Sequence, residues 1–153
     1  MDNILALHML RLRIVCGAMV ASLLACAAAV LLVAPPAAQW PQAEALLWGF
    51  AFLTALNFVT VMPVYRAMLA GPRRVYEVGH QPAPLLAAHF SAHVVAYARV
   101  EAVAVLGLTL NFVTGRADWF WAFLALSAAG MALLWPRTAK VTALLSATGQ
   151  GQV

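Results

Sequence analysis

Apolar residues run through this chain in four long blocks, at about 14–34, 45–69, 85–114 and 119–136, separated by short stretches where proline, glycine and charge collect. A helix crosses about 30 Å of hydrocarbon in about 20 residues, so each block is long enough to span a bilayer. The breaks are "PPAAQWPQAEA" at 35–45, the basic connection "RAMLAGPRRVYEVGHQPAP" at 66–84 and the tight turn "GRAD" at 115–118, all rich in residues that interrupt helices. The pattern predicts an all-α membrane protein, a single domain over 1–153 with four transmembrane helices. A short helix that frays is expected in the tail, 137–153.

Composition sharpens this reading. The chain is 65% hydrophobic and 9% charged, whereas soluble domains carry roughly 25% charged residues. Its net charge of +4 comes from basic residues scattered between apolar runs, which form no patch or stripe for nucleic acid. Their placement orients the helices instead. Arg11, Arg13, Arg66, Arg73, Arg74, Arg137 and Lys140 fall at one end of the spans and Arg116 at the other. Both termini are therefore expected in the cytoplasm, in a bacterial-type inner (plasma) membrane. Trp40, Trp48, Trp119 and Trp121 fit the outer aromatic belt and Trp135 the inner one. The first block is too long for a signal-peptide core, so it reads as a retained anchor. Cys16 and Cys26 lie inside it and read as small hydrophobes. Gly17, Ala21, Ala25 and Ala29 make a small-residue stripe there, expected to pack inside the four-helix unit or else to form a subunit interface.

The chemistry lies in the third block. Glu101 falls roughly 20 Å below the outer surface, counting about 1.5 Å per residue from Thr114, and an intramembrane carboxyl is a functional hypothesis by default. Arg99 is two residues away and points elsewhere; it is expected to snorkel toward the interface. Tyr97, His93 and His89 share the Glu101 face at four-residue steps, and Asn57 of the second block lies at matching depth. The expected site is a proton- or cation-binding network of Glu101, Asn57 and Tyr97, the carboxyl hydrogen-bonded and neutral for much of the time. His89 and His93, one turn apart, could offer two imidazoles to a metal, or His93 and His8 could approach a haem. Interfacial, hydrogen-bonded histidines are the preferred reading, with no metal and no cofactor. Ser22, Ser91 and Ser127 show no acid–base partner, and no enzymatic activity is expected.

"EAVAVLGLTL" at 101–110, with Gln81-Pro82 upstream, resembles the carboxylate-bearing helix and polar loop of the rotary ATPase proteolipid, subunit c of ATP synthases. The resemblance covers under half of the chain. It implies that 45–114 forms a helical hairpin, with Glu101 as the proton-binding carboxylate and Gly107 permitting close helix packing. His80 stands where that family has a basic loop residue, and the second block has Gly49 alone in place of a glycine-rich repeat. The function expected is a proteolipid-like membrane protein that binds a proton or cation at Glu101 and works in the bilayer as a homo-oligomer or with other membrane subunits. The alternative is a noncatalytic accessory or anchor subunit of a larger membrane complex, such as a respiratory one, docking through Arg73, Arg74 and Glu77.

Overall fold

The computed structural model describes residues 2–33 and 41–147; Trp40 lies outside them. The described residues form five helices: α1 (Asp2–Leu32), α2 (Ala43–Gly79), α3 (Pro82–Thr114), α4 (Ala117–Leu133) and α5 (Thr138–Ala147). Three of these, α1, α2 and α3, are each long and apolar enough to cross a membrane. A fourth crossing exists if α4 and α5, bent by 48°, count as one broken span.

Helix ends follow local chemistry. Pro82 opens α3, where its missing N–H costs nothing. Gly115 closes it with φ 69°, and its N–H bonds to the Asn111 carbonyl. His80 performs the same left-handed closure on α2 at φ 51°, which leaves His80 and Gln81 as the whole link to α3. The connection expected at 66–84 is therefore mostly helix. α2 has 37 residues and is about 55 Å long at about 1.5 Å per residue, far beyond the hydrocarbon. Pro63 and Pro72 lie inside it. A proline removes one N–H and crowds the preceding turn, but beyond the bilayer water can serve the carbonyl freed by Pro72. The Arg73–Glu77 ion pair at 3.3 Å bridges one turn of this extension.

The centre of the molecule is α3, which packs against α1, α2 and α4. Its buried residues run its full length, from Leu85 to Thr114, whereas α2 buries Thr54, Val61 and Leu69. Contact with α4 is close because of two glycines. A Cβ at Gly107 would sit 2.6 Å from Cβ of Phe123 and 3.3 Å from the Phe120 carbonyl, and one at Gly130 would sit 2.8 Å from Phe58 and Val100. Three polar side chains tie the same two helices: Ser127 donates to the Val100 carbonyl at 2.8 Å, Tyr97 to Met131 at 2.8 Å and His93 to Leu134 at 2.9 Å.

Toward α3 and α4, α1 turns Leu12, Cys16, Met19, Val20 and Leu23. The small-residue stripe faces elsewhere: Ala21 and Ala25 are exposed, and nothing lies within 4 Å of a Cβ added at Gly17. Packing inside the unit, the first of the two readings of that stripe, is not what it does. At the basic end, α5 folds back and Leu145 joins Leu69, Leu85 and Ala92 in one apolar cluster, while Val141 joins Met9 and Leu86 in another.

Gly107→Ala should lower the thermal unfolding midpoint in detergent, by the equivalent of about 1–3 kcal/mol, because the added methyl meets backbone-anchored atoms of α4. Gly17→Ala, facing open space, should leave the midpoint within error or slightly raise it. Equal midpoints for all three proteins would refute the close α3–α4 contact.

Candidate functional site

Residues 89, 93, 97 and 101 of α3 fall at successive helical turns, and the polar stripe splits into two halves with different surroundings. The upper half is Glu101. It is half-buried and faces α1, where the Ser22 hydroxyl contacts its carboxyl oxygen. The same hydroxyl lies 2.7 Å from the Met19 carbonyl. Ser22 has one proton for two oxygens. If it donates to Met19, whose carbonyl can only accept, the contact with Glu101 is satisfied when the carboxyl carries a proton and donates to Ser22 Oγ. With Glu101 ionised, the hydroxyl must turn its proton to one oxygen or share it. On its other side Glu101 lines a cleft of about 480 Å³ between α2 and α3, bounded by Leu53, Asn57, Ala98 and Ala102 among others.

Arg99 leaves α3 on the α2 side. Its Nε donates to Asn57 Oδ1 at 3.2 Å and Nη1 to the Thr60 carbonyl at 3.4 Å, while Nη2 contacts the Thr60 hydroxyl. Arg99, expected to snorkel, makes a cross-helix clamp on α2. No ion pair joins it to Glu101 among the described residues.

The expected network is therefore rearranged. Asn57 does line the cleft beside Glu101, but its hydrogen bond goes to Arg99. Tyr97 is fully buried and donates to Met131 on α4, so its hydroxyl is not joined to the carboxyl. Ser22, which showed no acid–base partner in the sequence, holds that place. The depth count applied to Asn57 would have found it: Ser22 lies nearly as far from the outer end of its block as Glu101 does from its own.

The lower half of the stripe is a ring cluster. His8 Nε2 lies 3.2 Å from His89 Nδ1, bringing in a residue placed outside the span. The His89 and His93 centroids are 5.1 Å apart, and Tyr65 of α2 packs edge-on against His93 at 5.6 Å. His93 is stacked on Tyr97 at 6.0 Å. No group of three or more His, Cys, Asp or Glu is placed to hold a metal ion among the described residues. Farther along α2, Arg66, Arg73, Arg74 and Glu77 line an open groove of about 510 Å³. At the opposite end Arg116 grips Asp118 with two hydrogen bonds, 2.9 and 2.7 Å, and lies 4.6 Å over the Trp119 ring.

A scan against protein-family models and searches of curated proteins and of solved structures gave no match to this chain. Fold and site together define an all-helical protein with three to four helices able to cross a membrane, built around one polar-striped central helix.

Arg99→Leu and Asn57→Leu should each destabilise the protein, and together by less than the sum. The expected coupling is about 0.6 kcal/mol, with about 1.7 as the upper end for a hydrogen bond within a membrane. Unfolding of both single variants and the double variant in detergent measures it, and strict additivity would dissolve the clamp.

Proposed function

We propose that the protein binds a proton, or a cation in its place, at Glu101 within the bilayer, and exchanges it through the cleft between α2 and α3. The observation that carries this reading is the arrangement at Ser22: one hydroxyl between a carbonyl and a carboxyl, complete when the carboxyl is protonated. Proton loss draws the Ser22 proton toward the carboxylate, so occupancy of Glu101 is coupled to the contact between α1 and α3. Asn57 shares the cleft and accepts a hydrogen bond from Arg99. Tyr97 contributes through packing against α4. The basic end lies in the cytoplasm of a bacterial-type inner membrane, and the role is a noncatalytic, proteolipid-like one.

A second reading, an accessory or anchor subunit, is favoured by the outward face of α1, where Gly17, Ala21 and Ala25 would let another helix approach closely. Copies of this chain or other membrane subunits would meet it there. The exposed pair Arg73 and Glu77, with Arg74, would dock a partner at the basic end.

Carbodiimide, which adds to protonated carboxyls in apolar surroundings, should label Glu101, with labelling falling as pH rises. Glu101→Gln should abolish the label and keep the native assembly mass. A wild-type protein refractory at every pH sinks the proton-site reading. A variant that loses its fold or assembly assigns Glu101 to helix packing instead.

A further inference from the structure

The bend between α4 and α5 covers a cavity of about 190 Å³ that the Glu101 chemistry does not use. It opens between α2, α3, α5 and the link that precedes α5, with Tyr65, His89, His93, Arg137 and Lys140 on its walls. A single water takes up about 30 Å³ in the liquid, so one bridging water leaves most of this space unfilled.

Its polar atoms are unbalanced in a particular way. His93 is 7% exposed and its Nε2 lies 2.9 Å from the Leu134 carbonyl. A carbonyl only accepts, so Nε2 holds a proton and neutral His93 presents a lone pair at Nδ1. That atom is buried and has no hydrogen-bond partner. Arg137 and Lys140 are exposed. Neither makes an ion pair among the described residues, and no acidic side chain lines the cavity. The cavity thus offers two cations on its exposed side, and the His93 ring in its wall carries one buried acceptor.

Its level in the membrane follows from its neighbours. Arg13 of α1 donates to Thr138 at the start of α5 at 3.5 Å, and Arg66 directly follows the wall residue Tyr65. Basic residues ring this height, as they do at the headgroup layer. A ligand that matches carries a negative group and, a few bonds farther on, a hydrogen-bond donor. Beside two cations a hydroxyl is favoured over an ammonium group. We infer that this cavity binds the headgroup of a hydroxyl-bearing anionic phospholipid of the phosphatidylglycerol type, its phosphate on Arg137 and Lys140 and its terminal hydroxyl donating to His93 Nδ1.

The test is native mass spectrometry of the delipidated full chain with phosphatidylglycerol, phosphatidic acid and phosphatidylcholine of identical acyl chains. Phosphatidylglycerol should be retained over phosphatidylcholine by about tenfold, the scale expected of two interfacial cations. It should also exceed phosphatidic acid, which has the charge without the terminal hydroxyl. Arg137→Gln/Lys140→Gln, at exposed positions, should remove the preference over phosphatidylcholine, and Arg73→Gln/Arg74→Gln should keep it. Three outcomes overturn the assignment: no lipid preference, equal loss in both double variants, or equal retention of phosphatidic acid. Displacement by soluble glycerophosphoglycerol at matched concentration overturns the lipid as the source and makes the ligand a free phosphodiester.

Discussion

A polar side chain in hydrocarbon has no water to fall back on, and α3 carries several of them. Each must find its partner on a neighbouring helix or be left buried at a cost of several kcal/mol. The bundle is arranged around that demand: Glu101 reaches α1, Arg99 reaches α2, and Tyr97 and His93 reach α4. Without a hydrophobic force between helices inside the bilayer, such bonds and close packing are what hold them together. The polar pattern of one helix thereby sets the positions of three others.

The partners differ in kind, and so does the stiffness of the contacts. Against α4 the acceptors are backbone carbonyls, and Gly107 lets Phe123 and the Phe120 carbonyl approach the α3 backbone. Backbone acceptors inside a helix move only with the helix, so α3 and α4 form a stiff pair. Toward α1 and α2 the contacts are made by side chains with freedom to rotate, Ser22, Asn57 and Thr60. Between α2 and α3 an open cleft remains beside Glu101. Glu101 thus lies on the adaptable side of the stiff pair, where a contact can change without breaking the core.

The basic end is built by another rule. There α2 continues past the bilayer, and α5 bends back to cover Leu69, Leu85 and Leu86. Apolar side chains beyond the hydrocarbon need such a cover because water is available, and burying them supplies the usual hydrophobic gain. The ring cluster of His8, His89, His93 and Tyr65 lies where this water-facing assembly meets the membrane-spanning one.

Much of the architecture was legible in the linear pattern, because the cost of placing a segment in hydrocarbon is a sum over its own residues. The apolar blocks and the turn closed by Gly115 follow from counting along the chain. The continuation of α2 past Leu69 and through Pro72 to Gly79 did not follow, since a proline ends a helix only where nothing else serves the freed backbone. Partner choice was hidden for a related reason. Depth is a one-dimensional quantity that placed Asn57 and Glu101 alike, but pairing depends on how each helix is rotated about its axis. That rotation was decided only by tertiary packing at Gly107, Gly130 and the carbonyls of α4, which gave Asn57 to Arg99, Tyr97 to Met131 and Ser22 to Glu101.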